Sequence, residues 1–359
     1  MQSRSIDPIT KPISVKPING CIGAEISGAD LGRLDDAAFQ VIHDALVEHG
    51  VIVLRDQDIT LEQQMAFGRR FGPLVVHPFS PNLDDKPEVI VLDYSADNPP
   101  ALTDIWHADE TYRAAPPMAT LLRARVIPEI GGDTVFASMT AAYQGLSSRM
   151  QNYIHGLEAL HDIKPFRSLF TRSEAHRRKL WEIEEAFPNP WHPVVRVHPV
   201  SGRRVLYVNP QFAIRIKGVS EDESQTILQF LFRQAHIPEY QLRVKWQPNT
   251  VVMWDNRSVQ HYAPHDYYPQ RRTMERVTIA GDVPIGVEGG LRAGGGRRPA
   301  AQRQGRAAHR QAPDPPVRAR VARFQSSGGM CASATIRAYS AVSRRISAAN
   351  AAGPSPARS

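Results

Sequence analysis

The chain has 359 residues, 42% hydrophobic and 22% charged, an ordinary balance for a folded domain. Its two cysteines, Cys21 and Cys331, exclude a disulfide-built scaffold, and no apolar run approaches the roughly 20 residues of a membrane span. The net charge of +7 is unevenly placed: residues 291–359 hold 13 Arg, no Lys and one acid, Asp314, so that residues 1–290 carry a net −5.

The opening, MQSRSIDPITKPISV, lacks an apolar core of signal-peptide type, and a cytoplasmic location is expected. Asp36 to Gly50 places Phe39, Ile42, Leu46 and Val47 on one helical stripe closed by Gly. VIVLRDQ (51–57) reads as a short buried strand. Thr60 then caps a second helix, with Gln63 in capping-box position. Further strands are expected at 88–94, 118–127, 134–139, 193–199, 204–209, 250–255 and 275–282, and helices near 140–155, 173–186 and 220–235. Many strands at irregular spacing, with helices inserted between them, predict a β-sandwich or barrel core with helical additions. No G-x-G-x-x-G follows a strand, which disfavours a dinucleotide fold.

Residues 291–359 are rich in Ala, Arg, Gly, Ser and Pro, and bury too little apolar surface to offset chain entropy. They are expected to be disordered, as an extension apart from the function rather than a nucleic-acid arm. The acidic body, 1–290, has no charge of its own to draw nucleic acid.

Chemistry concentrates in three segments. In Ile105-Trp106-His107-Ala108-Asp109-Glu110, an extended chain turns His107 and Asp109 to one face, so one imidazole and one carboxylate can reach the same metal. A third ligand is needed, and His261, after the strand TVVMWD, is the leading candidate, with His265 and Asp266 as rivals. Two His and one carboxylate leave three positions open, the arrangement of non-haem Fe(II) oxygenases. The third segment, Arg271 to Ile279, is β-branched enough for a strand. It would put Arg272, Met274, Arg276 and Thr278 on one face. Two inward guanidiniums would each need an anion, which Arg binds bidentately; an ordinary edge strand with both Arg in water is the alternative.

WHAD (106–109), GGDT (131–134) and WDNRSVQHYAPHDYYPQRRTMERVTIAGD (254–282) together resemble the taurine dioxygenase (TauD/TfdA) family of Fe(II)/2-oxoglutarate-dependent dioxygenases, over about residues 18–287. The resemblance implies a β-rich fold with a double-stranded β-helix (jelly-roll) core and flanking helices. It implies His107, Asp109 and His261 as iron ligands, with Arg272 and Thr134 binding 2-oxoglutarate. His77, Arg276, Phe212 and Thr103 are implied at the primary substrate. Leu102, Thr103 and Ser80 stand where a taurine-specific relative would bracket an amine. The anion half of the pocket is therefore retained and the amine half is not. The implied reaction consumes 2-oxoglutarate and O2, releases succinate and CO2, and hydroxylates a small organic anion beside its head group. A sulfonate would then yield sulfite and an aldehyde; a sulfate ester or aryloxyalkanoate is the alternative within the family. A non-catalytic metal- and anion-binding protein is the alternative outside it. A homo-oligomer is expected, with no membrane and no nucleic-acid partner for the folded domain.

Overall fold

In the computed structural model, which describes residues 12–287 except residue 172, the short apolar runs become strands of one large sheet. Its members are β1 (Ser14–Pro17), β2 (Ala24–Ser27), β3 (Val51–Leu54), β4 (Val89–Tyr94), β5 (Ala119–Val126), β13 (Val251–Asp255) and β15 (Arg272–Ile279), in the order β1-β2-β3-β13-β5-β15-β4. All neighbours are antiparallel except β2 and β3. A three-stranded sheet is built from β6 (Thr134–Ser138), β12 (Gln241–Val244) and β14 (Val259–Tyr262), with β6 central. The strands β7 (Glu158–His161), β8 (Trp191–Pro193) and β11 (Ala213–Ile216) form another, and β9 (Val195–Val197) pairs with β10 (Arg204–Leu206).

Alternation along the central strands decides which face meets which layer. Ile52, Leu54, Leu121, Val251, Met253 and Val277 pack with Ile42, Leu46, Met65 and Phe67, residues of the helices α1 (Asp36–His49) and α2 (Leu61–Arg69). The alternate residues, Val51, Val53, Leu122, Val252, Trp254 and Met274, pack with Phe136, Leu242 and Val244 of the three-stranded sheet. The large sheet is thus covered by helices on one face and by strands on the other, and the site described below sits at that strand-to-strand layer.

The helix ends follow from side chains. Asp35 accepts the amide of Ala38 at the start of α1, and Gly50, at φ 70°, closes it with its own amide on Leu46, a left-handed position that glycine adopts without strain. Thr60 and Gln63 form the expected reciprocal capping box.

Several boundaries differ from the sequence reading, the strands expected at 51–57 and 204–209 ending already at Leu54 and Leu206. The helix expected near 140–155 is two helices, α3 (Met139–Gln144) and α4 (Ser148–Ile154), each with its own serine cap, Ser138 and Ser147. The strand expected at 193–199 is interrupted at Val194, whose amide turns to Leu157, leaving β8 and β9 on different partners. The strand expected at 275–282 is β15 and starts at Arg272, as the arginine alternation had suggested. The helices α5 (Glu174–Ala186) and α6 (Glu221–Phe232) lie close to expectation. The reading of 291–359 falls outside the described residues. No helix among the described residues is long and apolar enough to cross a membrane.

Candidate metal centre

His261 lies on β14, opposite Phe136 of β6, where the Phe136 and Trp254 rings pack within 6.2 and 4.7 Å of its imidazole. His107 belongs to no regular strand. It makes an isolated antiparallel bridge to His261, amide to carbonyl in both directions at 3.0 and 2.7 Å. That bridge stands the two imidazoles side by side, 4.1 Å between ring centres. Asp109 follows in a turn, with Glu110 in the left-handed region at φ 48°. The alternation expected of His-x-Asp survives, although only its first member is strand-paired.

Neighbours from distant strands fix Asp109. Its Oδ2 accepts the Thr120 hydroxyl of β5 at 2.6 Å. Asn256 accepts the Asp109 amide at 3.2 Å and the Trp254 indole N–H at 3.0 Å, and donates to Thr120 at 3.1 Å. The other carboxylate oxygen, Oδ1, faces His107 Nε2 at 3.8 Å and His261 Nε2 at 3.9 Å. Ligand atoms of the three residues all lie within 4.8 Å of one another. A first-row divalent ion, about 2.0–2.2 Å from nitrogen and oxygen ligands, fits among them. His107 Nδ1 pairs with the Ile105 carbonyl at 2.7 Å, which leaves Nε2 as its free ligand atom.

The charge states suit that role. Burial, and then the adjacent His107, pushes His261 down to about 3; burial also lowers His107. Both imidazoles are therefore neutral at neutral pH, the form that binds metal. Burial alone would raise Asp109, but the Arg276 guanidinium, 3.1 Å from Oδ1, together with the two imidazoles and Thr120, outweighs it and holds the acid well below the usual carboxylate range. Two neutral nitrogens, one carboxylate and no thiolate make a donor set for Fe(II) with open positions rather than for a closed structural zinc.

A cavity of about 80 Å³ opens beside the triad, lined among others by Leu92, Tyr94, Thr103, Thr134, Tyr267, Arg272 and Arg276. Arg272 is 4% exposed; its Nε donates to the Gly132 carbonyl at 3.1 Å, while one terminal nitrogen has no hydrogen-bond partner among the described residues. Trp246 and Tyr267 flank it, each ring centre 5.8 Å away, and burial lowers its pKa. Thr134 accepts the Trp246 indole N–H at 3.0 Å. Such a walled, incompletely paired guanidinium calls for an anion.

Arg276 projects from β15 four residues further on, beside Asp109 and Glu110. The His77 ring accepts the amides of Phe79 and Ser80 at Nδ1, and burial pushes it down to about 4 despite the neighbouring Glu110. Its Nε2–H is therefore a neutral donor. Thr103 pairs with His265 at 2.7 Å, and the Leu102 carbonyl accepts from Gln211 at 2.8 Å. Phe212 does not line the cavity. It packs on Phe166, which meets Phe79 beside His77, in a run of rings with centres 4.5–5.8 Å apart. His265 and Asp266 are engaged elsewhere, His265 with Thr103 and Asp266 with Gly132 and Arg243. Thr120, Asn256, Tyr94, Trp246 and Glu110 escaped the sequence reading. Of these only Asn256 carried a signal, its place in the WDN segment.

A β-rich body that gathers two imidazoles and one carboxylate at one point, beside a buried guanidinium, defines the class of mononuclear non-haem oxygenases. Comparisons with known proteins give the family. The family model described as "Taurine catabolism dioxygenase TauD, TfdA family" matches residues 14–278. The α-ketoglutarate-dependent sulfate ester dioxygenase of Pseudomonas putida is 39% identical over 303 residues, covering 79% of this chain and 95% of the relative. The (S)-phenoxypropionate/α-ketoglutarate dioxygenase of Sphingobium herbicidovorans is 33% identical over 279 residues, covering 75% and 95%. The crystal structure of a taurine dioxygenase from Burkholderia xenovorans superposes with a TM-score of 0.66 at 36% identity, covering 76% of this chain and 91% of its own. The chain belongs to the TauD/TfdA family and is a 2-oxoglutarate-dependent, non-haem dioxygenase.

Proposed function

We propose that the chain oxidises a C–H bond of a small organic anion next to its head group, with 2-oxoglutarate and O2 as cosubstrates and Fe(II) held by His107, Asp109 and His261. The convergence of those three side chains within 4.8 Å carries the reading. Bound iron would supply the O2 chemistry, in which 2-oxoglutarate becomes succinate and CO2.

The chain's own residues do the positioning. Arg272, buried and short of one hydrogen-bond partner, pairs with the distal carboxylate of 2-oxoglutarate, and Thr134 lines the same wall. Arg276 and the neutral Nε2–H of His77 take the substrate's anionic head group, which brings the adjacent carbon toward the metal position; this is catalysis by orientation. Trp254, Leu122 and Leu92 form apolar cavity wall and limit water. The same reading carries the double-stranded β-helix arrangement of the two facing sheets and places Thr103 at the substrate, with Phe212 acting only from behind, through Phe166 and Phe79. No acid lies at Leu102 to pair an ammonium group, so taurine is disfavoured against substrates without an amine. Sulfate esters, sulfonates and phenoxypropionates, the substrates named for relatives, form the test panel.

The test is competitive turnover across that panel, with succinate and product both quantified. Arg272→Ala is expected to raise the KM for 2-oxoglutarate. Arg276→Ala is expected to leave that KM within about threefold while uncoupling succinate formation from substrate oxidation, since it removes orientation rather than the cosubstrate site. A clear preference for taurine, or equal effects of both substitutions on both parameters, contradicts the reading.

A further inference from the structure

Glu110 is a buried carboxyl group beside Arg276 and His77, the pair proposed above to take the substrate's head group. It is 3% exposed, in the left-handed region at φ 48°, immediately after Asp109. One oxygen, Oε2, is engaged by the Arg113 Nε at 2.6 Å and the Tyr112 hydroxyl at 3.4 Å. The other, Oε1, is buried without a hydrogen-bond partner among the described residues. It stands 3.7 Å from Arg276 Nη2 and 3.9 Å from His77 Nε2, too far to bond either. Arg276 Nη2 is ion-paired with Asp109 Oδ1 at 3.1 Å and makes no hydrogen bond of good geometry among the described residues. Two donor groups thus face one acceptor oxygen that carries no hydrogen bond.

With the Arg113 Nε and the Tyr112 hydroxyl donating to Oε2, the carboxyl group turns Oε1 toward Arg276 and His77 as an acceptor. A head group whose exposed atoms are all acceptors, such as a sulfonate, satisfies Arg276 and His77 but sets its own oxygens against Oε1, acceptor against acceptor in a buried place. A head group with one O–H or N–H satisfies all three. We propose that Glu110 is a specificity-determining residue that selects organic anions bearing a hydrogen-bond donor on, or one atom from, the anionic group. This deepens the oxygenase reading and rests on it for the head group's place at Arg276.

The test is calorimetric binding to the Fe(II)- and 2-oxoglutarate-loaded protein without O2, using matched probes. Hexane-1-sulfonate is compared with hexylphosphonate at a pH where the phosphonate keeps one proton, two monoanions of similar shape that differ by one donor. Hexanoate is compared with 2-hydroxyhexanoate to place the donor on the neighbouring carbon. At least one donor-bearing probe is expected to bind about tenfold more tightly than its partner. The preference should vanish in Glu110→Gln, whose amide can turn an N–H toward an acceptor, and in Glu110→Asn, which tolerates the left-handed backbone. Equal or tighter binding of both all-acceptor probes, no binding of either donor-bearing probe, or a preference that survives in a folded Glu110→Gln protein would overturn the proposal. Succinate formation from 2-oxoglutarate is measured on the same samples under O2, with the sulfate ester, sulfonate and phenoxypropionate panel and the four probes each supplied as primary substrate. Its absence would sink the oxygenase reading, while the binding ratios report on Glu110 separately.

Discussion

At the scale of single residues, Asp109 is held from both oxygens for different purposes. Thr120 and Asn256 lock one side, leaving Oδ1 toward the imidazoles. Outer partners of this kind tune metal affinity by about 10- to 100-fold. Thr120→Val, which keeps the shape and removes the hydroxyl, is therefore expected to weaken Fe(II) or Mn(II) binding by about that factor with an unchanged melting temperature in the metal-free protein. Metal titration checks this, and unchanged affinity would show that Thr120 serves packing alone. His107 and Asp109 were legible because an i, i+2 spacing is a local fact. Thr120 lies 11 residues from Asp109, Asn256 lies 147, and nothing local marks either as its neighbour. Glu110 drew no reading of its own in sequence, because burial and half-paired oxygens are properties that only the folded chain reveals.

At the scale of elements, β15 is the most informative strand. Its alternation puts Arg272, Met274, Arg276 and Thr278 on one side, with Met274 packed into the layer between the two guanidiniums. That face was readable because strand periodicity leaves no choice once the strand is granted. The three-residue strands β8, β9 and β10 were not, since segments so short are defined by their partners rather than by a pattern of their own. The split between α3 and α4 has a local signal in Ser147, a good N-cap that accepts the Met150 amide. The triad depends on the β6–β14 pair, where Phe136 is fully buried behind His261. Phe136→Ala should cost about 3–5 kcal/mol in denaturant unfolding and weaken metal binding besides. A loss of metal binding at full stability would contradict this coupling.

At the scale of the whole molecule, buried histidines tie stability to pH. Burial pushes His77 and His192 down to about 4 and His161 well below its ordinary value. In the unfolded chain each titrates near about 6.5. Between those values the unfolded state binds more protons, so the stability these groups contribute is complete above about pH 6.5 and is lost as pH falls toward about 4. Urea unfolding of the metal-free protein is expected to show this slope, and His192→Gln to make it shallower. A stability flat from pH 6.5 to 4 would count against neutral buried imidazoles. The charge arithmetic was also legible in sequence: the body, 1–290, is net acidic although it sets Arg272 and Arg276 beside the candidate metal site, whereas the surplus of positive charge belongs to residues 291–359.

The claim on which all three scales depend is that His107, Asp109 and His261 hold one catalytic metal. Fe(II) stoichiometry and O2-dependent succinate formation, measured together on the intact chain and on His107→Ala, test it most directly. The account predicts one ferrous ion per chain and succinate from the intact protein, with both lost in a folded His107→Ala variant. Undiminished iron binding and succinate formation in that variant would contradict it.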